Sequence, residues 1–487
     1  MTHAVVACIL LLSCLPFCDG NGYSSHGARA AFERAFDSCK AYPFVQKHID
    51  TLERAPGPDD TYAIYSFAEH GLGSNGGLGD RLAGLVTVAA FAARTGRRLL
   101  IAADAPFKAS FVPYHPNNLL HTGDPGGSSQ FQARFHWHDW KWSGWQDSMA
   151  SNMSYAHGCV NPKGHSFACA LDSGTQLGAF KVVKHRGNRC YLCRWAVREG
   201  QGLRAELLQT LGVGPGTDLY HVAGCLLRIA MWPSDSLWAR LDDWVAKQDP
   251  SLAAKLTLRP QQRHEARLVS VHFRCGDSSF SAKGEGDTAA NPQCVVDPTG
   301  KSPWTGTDFG DDYSMDSPLE IATCATQLLA EQAGGGGGVL LYVASDYAPS
   351  ARQINSTAAA AVSLVPQGAC HVDHTSKEGA HACAINTYVE WLLLGLSDAL
   401  VVQSLKKKEG AQYAFYNEYS EGTKQRMAQL EAAEPGGPVS AFSRYAAMFG
   451  LRGGGALRFG KGCVAANRTA LSWQTRSNWM CDNKNFY

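Results

Sequence analysis

The sequence predicts an α/β protein built on parallel sheets. Three observations carry this. The second half alternates strand and helix segments. Its strand segments are near-continuous apolar runs, as expected of strands covered on both faces. The first half holds a strand, a glycine-rich loop, a helix and a second strand in order, which is a βαβ unit. A chain of 487 residues leaves room for two to four domains. With 45% hydrophobic and 18% charged residues it is globular, which excludes wholesale disorder. Forty-four basic against 43 acidic residues give a net charge of +1, so there is no basic footprint for nucleic acid and no attraction to an acidic membrane.

From the start, residues 4–18 form a short apolar stretch followed by Asp19 and Gly20. It reads as a secretory leader over 1–20, with an uncleaved signal-anchor as the alternative. No segment reaches about 18 consecutive apolar residues. Helices are predicted over 30–40 and 44–52, separated at Pro43. A strand over 62–67 runs into the glycine loop 71–80. Leu82, Leu85, Val86, Ala89, Ala90 and Ala93 then repeat at helical spacing over 81–94, and Gly96 is placed to cap that helix. A second strand covers 97–102. Residues 105–215, rich in cysteine and in tryptophan at 137–145, read as an insertion on the first unit. Helices over 221–228 and 233–247 bridge to the second half. There, strands are predicted over 268–274, 339–345, 361–365 and 399–404. Helices are predicted over 318–332, from Pro349, over 386–396 and from Ser440.

Of 16 cysteines, three (Cys8, Cys14, Cys18) lie in the leader and 13 remain, an odd number. Nearness in sequence suggests the pairs Cys159–Cys169, Cys370–Cys383 and Cys463–Cys481. Cys190 and Cys193 form a C-x-x-C that suits structural disulfides better than a zinc half-site in an oxidising compartment. Sequons begin at Asn152, Asn355 and Asn467; in a lumenal protein these should face solvent. His371, Asp373 and His374 stand close enough to suggest a metal, but a loop beside Cys370 explains them as well. The tryptophan run suits either sugar stacking or the packing of the insertion.

Four segments bear chemistry. In the loop, Gly71, Gly73 and Gly76 match a dinucleotide fingerprint, but the nearest following strand-end acid, Asp104, lies 28 residues on. The loop serves equally as an anion site at a helix start or as a tight turn. Next, an apolar strand ends in His272, Arg274 and Asp277; a guanidinium there can grip a phosphate, or pair structurally with the aspartate. Ser345 and Asp346 close a later strand. Finally, Ser440 heads a Ser-Ala-Phe-Ser segment with Phe442 and Ser443, placed to cap a helix and, through its first-turn N–H groups, to meet a phosphate.

Together, Gly77-Leu-Gly-Asp-Arg81, His272-Phe-Arg-Cys-Gly-Asp277, Ser345-Asp346 and Ser440-Ala-Phe-Ser443 resemble, in order and spacing, the motifs of the fucosyltransferase superfamily. That superfamily groups the α1,2-, α1,6- and protein O-fucosyltransferases; the plant cell-wall α1,2 branch is nearest. The resemblance implies a GT-B-like fold of two Rossmann-like domains with parallel sheets and a Cys/Trp-rich insertion in the first. The units would be 21–225 on the acceptor side, connecting helices over 226–260, and a nucleotide-sugar unit over 261–487. It implies GDP-fucose as donor, a glycan or glycoprotein acceptor, and no metal or other cofactor. Absence of any D-x-D is consistent with the last point. Arg274 would hold the β-phosphate and stabilise the departing diphosphate. His272, Asp277, Ser345, Asp346, Ser440, Phe442 and Ser443 would bind the donor beside the glycine loop of Gly76, Gly77, Gly79 and Arg81. Asp80 and Glu69 are the candidate general bases. Asp80 stands where the family carries asparagine, and 105–215 aligns with nothing in it. Such an enzyme would work in the Golgi lumen or be secreted. Two other classes stay open: an NAD(P)-type oxidoreductase resting on the first glycine loop, and an inactive secreted glycan-binding protein of the same fold.

Overall fold

The computed structural model describes residues 25–54, 60–66, 78–103, 105–112, 114, 120–121, 182–185, 211, 217–247, 266–274, 313–333, 338–345, 348–358, 363–364, 380–407, 437–438, 440–451 and 456–466. The first half opens with α1 (Ser25–Asp37), a 3₁₀ turn over Ser38–Ala41 and α2 (Pro43–Glu53). Pro43 separates two helices as expected and also starts the second. At a first helical position its fixed φ is an advantage and its missing N–H costs nothing. β1 (Tyr62–Ser66), α3 (Leu78–Thr95) and β2 (Arg98–Ala102) form the expected βαβ unit. The strands are parallel, with Tyr62 opposite Arg98. The predicted seam of α3 is buried along its length, and Gly96 ends the helix at φ +68°.

α4 (Ala105–Ser110), β3 (Phe111–Val112), β4 (Leu120–His121) and β5 (Val182–His185) follow. The first sheet is all parallel in the order β4-β2-β1-β5. The stretch read as an insertion therefore contributes two of its strands. Next come α5 (Leu219–Ala230), β6 (Trp232–Pro233), which pairs with β3, and α6 (Asp235–Lys247). The Asp218 carboxylate caps α5 by accepting the His221 N–H at 3.1 Å.

The second half contains β7 (Ala266–Phe273), β8 (Tyr313–Met315), α7 (Pro318–Ala333), β9 (Gly338–Ser345), α8 (Ala348–Ala358) and β10 (Ser363–Leu364). It continues through α9 (Ala380–Leu396), β11 (Ala399–Val402), β12 (Ser404–Lys407), β13 (Gly437–Pro438), α10 (Ala441–Gly450), β14 (Leu457–Phe459) and β15 (Val464–Ala465). The second sheet runs β10-β9-β7-β11-β14-β15, parallel except at its last pair. Ser317 and Glu320 start α7 with a capping box: the serine N–H and hydroxyl donate to the carboxylate, and the serine oxygen accepts the Glu320 N–H.

Both faces of this sheet are covered, which explains its unbroken apolar strands. Val269, Val271, Leu341, Val343 and Val401 pack under α7 and α8 in one core. Leu268, Tyr342, Ala344, Leu400 and Val402 face the other way, into a larger core shared with α3, α5, α9, α10 and the first sheet. Helices α9 and α10 lie inside that core and are apolar nearly all round, as buried helices are.

Two expectations need correcting. The strand predicted over 399–404 is two strands in different sheets. β11 stays in the main sheet, and β12 joins an antiparallel sheet of order β13-β12-β8. The buried Asp316 causes the split, accepting the Ser404 N–H at 2.7 Å and its hydroxyl at 2.8 Å. Cys463 bonds not to Cys481 but to Cys324, because α7 packs against the 3₁₀ turn over Lys461–Cys463 and leaves the two α-carbons 4.8 Å apart. A second disulfide, Cys39–Cys225, ties the first 3₁₀ turn to α5. Cys383 is disulfide-bonded, and Cys370, Cys159 and Cys169 lie outside the described residues. The sequon asparagine Asn355 sits within α8, half-buried, while Asn152 and Asn467 are outside the described residues. Among the described residues no helix is long and apolar enough to cross a membrane. Disulfides are compatible with a secreted or lumenal protein.

Candidate active site at the carboxyl ends of the second sheet

Ligands of open parallel sheets sit beyond the carboxyl ends of the strands. Here three neighbouring strands end together. His272 lies opposite Val402 of β11 and Ala344 of β9, and Phe273 lies opposite Ser345. Arg274 is the first residue beyond β7, partly exposed, and its N–H donates to the Gln403 Oε1 at 2.8 Å. His272 points into the larger core, 9% exposed, its ring 5.3 Å from that of Phe442 and tilted by 30°.

Phe442 belongs to the first turn of α10, which the surrounding helices hold from several sides. The Trp391 indole N–H donates to the Phe442 carbonyl at 3.0 Å. The Ser440 hydroxyl oxygen accepts the Phe442 N–H at 3.2 Å as the cap, and the Ser443 hydroxyl donates to the Ser440 carbonyl at 3.2 Å. The amides of Ala441 and Ser443 have no acceptor within the helix, since an α-helix leaves its first N–H groups unmatched. At the other end, the buried Arg228 donates to the carbonyls of Phe449 and Gly450 and to that of Phe32, and lies 3.5 Å over the Phe32 ring. A cation there complements the C-terminal end of the helix dipole.

Gly79 joins the glycine segment to this helix. A Cβ there would sit 2.6 Å from the backbone of Ala441 and 2.7 Å from the Phe442 nitrogen. The starts of α3 and α10 therefore meet in near backbone contact, beside the end of β7. Residues 79, 272, 274, 345, 440, 442 and 443 come together from segments spread over more than 350 residues.

The chain is similar in structure to solved fucosyltransferases. An Arabidopsis thaliana FUT1 mutant in complex with GDP shares 13% identity at a TM-score of 0.42, over 85% of this chain and 72% of that one. A NodZ fucosyltransferase from Bradyrhizobium shares 12% at 0.34, over 80% and 91%. A NodZ α-1,6-fucosyltransferase soaked with GDP-fucose shares 13% at 0.34, over 80% and 92%. No protein-family model and no curated protein matches the chain.

Of the other expected site residues, Arg81 is buried in α3 and Asp80 lies in the first turn of that helix. Glu69, Gly76, Gly77, Asp277 and Asp346 lie outside the described residues, as do the C-x-x-C, the tryptophan run and His371–His374. Among the described residues, Cys39, Cys225 and His221 gather as metal-ligand types, but the two sulfurs are bonded to each other. Sequence reading missed Gln403, hidden inside an expected strand, and Trp391 and Arg228, which read as ordinary helix residues. A polar residue at a strand's carboxyl end was the available signal for Gln403.

Burial, together with the Arg274 guanidinium, lowers the His272 pKa to about 3, so the imidazole is neutral and offers hydrogen bonds rather than charge. His48 in α2 is lowered to about 4 by burial and by Arg98, and neither of its ring nitrogens has a hydrogen-bond partner among the described residues. Both folded values lie below the ordinary 6.5, so between those limits the unfolded chain binds more protons. The stability these neutral rings confer is complete above pH 6.5 and is lost as pH falls towards 3–4, on the order of a few kcal/mol. Melting temperatures measured from pH 7.5 to 4.5 are expected to fall, and His48→Leu should flatten the decline. An unchanged slope in that variant would remove His48 from the account.

Proposed function

We propose that this chain is a glycosyltransferase that moves fucose from GDP-fucose to a hydroxyl of a glycan or glycoprotein, inverting configuration and needing no metal, in the secretory pathway. The observation that carries the reading is the meeting of the starts of α3 and α10 beside His272 and Arg274, which gathers motif segments resembling those of fucosyltransferases. The reading includes a GT-B-like arrangement with a nucleotide-sugar unit over 261–487, connecting helices over 226–260 and an acceptor side over 21–225.

The acceptor oxygen attacks C1 of fucose from the face opposite the diphosphate. The bond from C1 to the β-phosphate oxygen breaks, and its electron pair leaves with GDP. The hydroxyl proton passes to a carboxylate, Asp80 or Glu69. Charge builds on the departing diphosphate, so groups fixed there before reaction stabilise the transition state. Arg274 supplies a permanent cation with fork geometry for phosphate oxygens. The two helix starts add the favourable end of their dipoles. Neutral His272, with Asp277, Ser345 and Asp346, holds the nucleotide by hydrogen bonds, while Ser440, Phe442 and Ser443 present the first turn of α10 to the phosphates. Gly79 lets backbone approach that turn.

A thermal-shift titration with GDP, UDP and NAD tests this. A ligand at 100 times its dissociation constant adds about 2.7 kcal/mol, which moves a melt by a few degrees. GDP alone is expected to shift it, without added metal. A shift by NAD would instead support an oxidoreductase, and one by UDP a different donor sugar. Silence from all three in a folded sample would favour an inactive binding protein.

A further inference from the structure

We propose that Gln403 is a positioning residue that sets the backbone from which Arg274 reaches the donor diphosphate. This rests on the donor-site reading above. Val402 is the last residue of β11 in the main sheet, level with His272. Continuing that register would place Gln403 beside Phe273 and Ser404 beside Arg274. That pairing does not form, because the chain turns out of the main sheet here: Ser404 donates its N–H and hydroxyl to Asp316, its carbonyl accepts the Asp316 N–H, and its backbone enters the antiparallel sheet. The sheet thus loses a strand just where Arg274 begins. The Gln403 side chain, only 4% exposed, fills the gap by accepting the Arg274 N–H at 2.8 Å. A side chain replaces a ladder bond and fixes the first residue outside the sheet. Without it, that amide must find another acceptor, and the guanidinium moves with the backbone.

The test is GDP affinity by calorimetry in the full chain. Gln403→Met keeps the length and removes the acceptor; Gln403→Glu keeps an acceptor at the same reach. Gln403→Asn keeps the amide on a shorter arm, and is a second loss variant if the methionine form does not fold. Loss of a hydrogen bond of this kind corresponds to a roughly tenfold weaker affinity. GDP binding should weaken by about that factor in Gln403→Met and Gln403→Asn, and Gln403→Glu should stay within about threefold of the parent. In an Arg274→Ala background Gln403→Met should add nothing, since it acts through the guanidinium that is gone. A merely structural role would weaken both backgrounds alike. Equal loss in both backgrounds, or full affinity in Gln403→Met, overturns the inference. If Arg274→Ala itself binds GDP like the parent, the donor-site reading fails instead, whatever Gln403 does.

Discussion

Arg274→Ala is expected to lower fucose transfer on the order of 10³-fold while the protein melts within a few degrees of the parent. Removing a charge or donor aimed at developing transition-state charge costs 10²–10³-fold for one hydrogen bond and more for a phosphate-facing arginine, which sets the scale. The fold should tolerate the change. Arg274 stands outside the sheet and partly exposed, and its bond to Gln403 comes from the backbone, which alanine retains. Arg274→Lys keeps the charge and loses the fork, so it should fall between the two. The measurement is GDP release from GDP-fucose in the presence of candidate acceptors, alongside a melt of each variant. Full activity in Arg274→Ala would show that the site lies elsewhere.

The second large effect is on folding. A Cβ on Gly224 would lie 1.9 Å from the Met448 carbonyl oxygen, and one on Gly450 would lie 2.0 Å from that of Gly395. Neither oxygen can swing aside, because both belong to helix backbone. Gly224→Ala must push α5 and α10 apart through the middle of the larger core. Overpacking commonly costs about 1–3 kcal/mol, and this contact is harsher than the usual case. Against a net stability of about 5–15 kcal/mol that is a large share, so a clearly lower melting temperature and a lower soluble yield are expected. Gly395→Ala is the control: its Cβ would meet the Ala446 oxygen, also helix backbone, at 3.0 Å rather than 1.9 Å, so the helices need shift by only a few tenths of an ångström. Soluble yield and melting temperature of the two variants decide. Equal melts would mean that the helices have room to slide.

Elements with long periodic patterns were legible in the sequence. α3, α7, β7 and β9 lie where the apolar spacing puts them, within a residue or a few at each end. What local pattern could not carry was decided by distant partners. The end of β11 is set by Asp316, 88 residues away in sequence, drawing Ser404 out of the sheet. β5 is four residues long, and its place beside β1 depends on 62–66 rather than on its own composition. β14 and β15 are too short for a period to declare itself. Cys463 found Cys324 across 139 residues, which proximity along the chain does not predict. At the site, His272, Arg274 and Ser440 were legible because strand ends and helix caps have local signatures. Gln403 and the contact role of Gly79 were not, since each matters only through what packs against it.

α10 is encoded late in the chain yet packs against α3 and α5, encoded early, at distances only glycine allows. Cutting the gene between the two sheets, to express each as a separate fragment, would therefore strip both pieces along one seam. The early fragment would bare the grooves at Gly79 and Gly224, and the late one the buried flank of α10. Large apolar faces of that kind associate in solution. For preparing protein, the intact chain is the workable unit, and fragments mixed afterwards are more apt to aggregate than to rejoin.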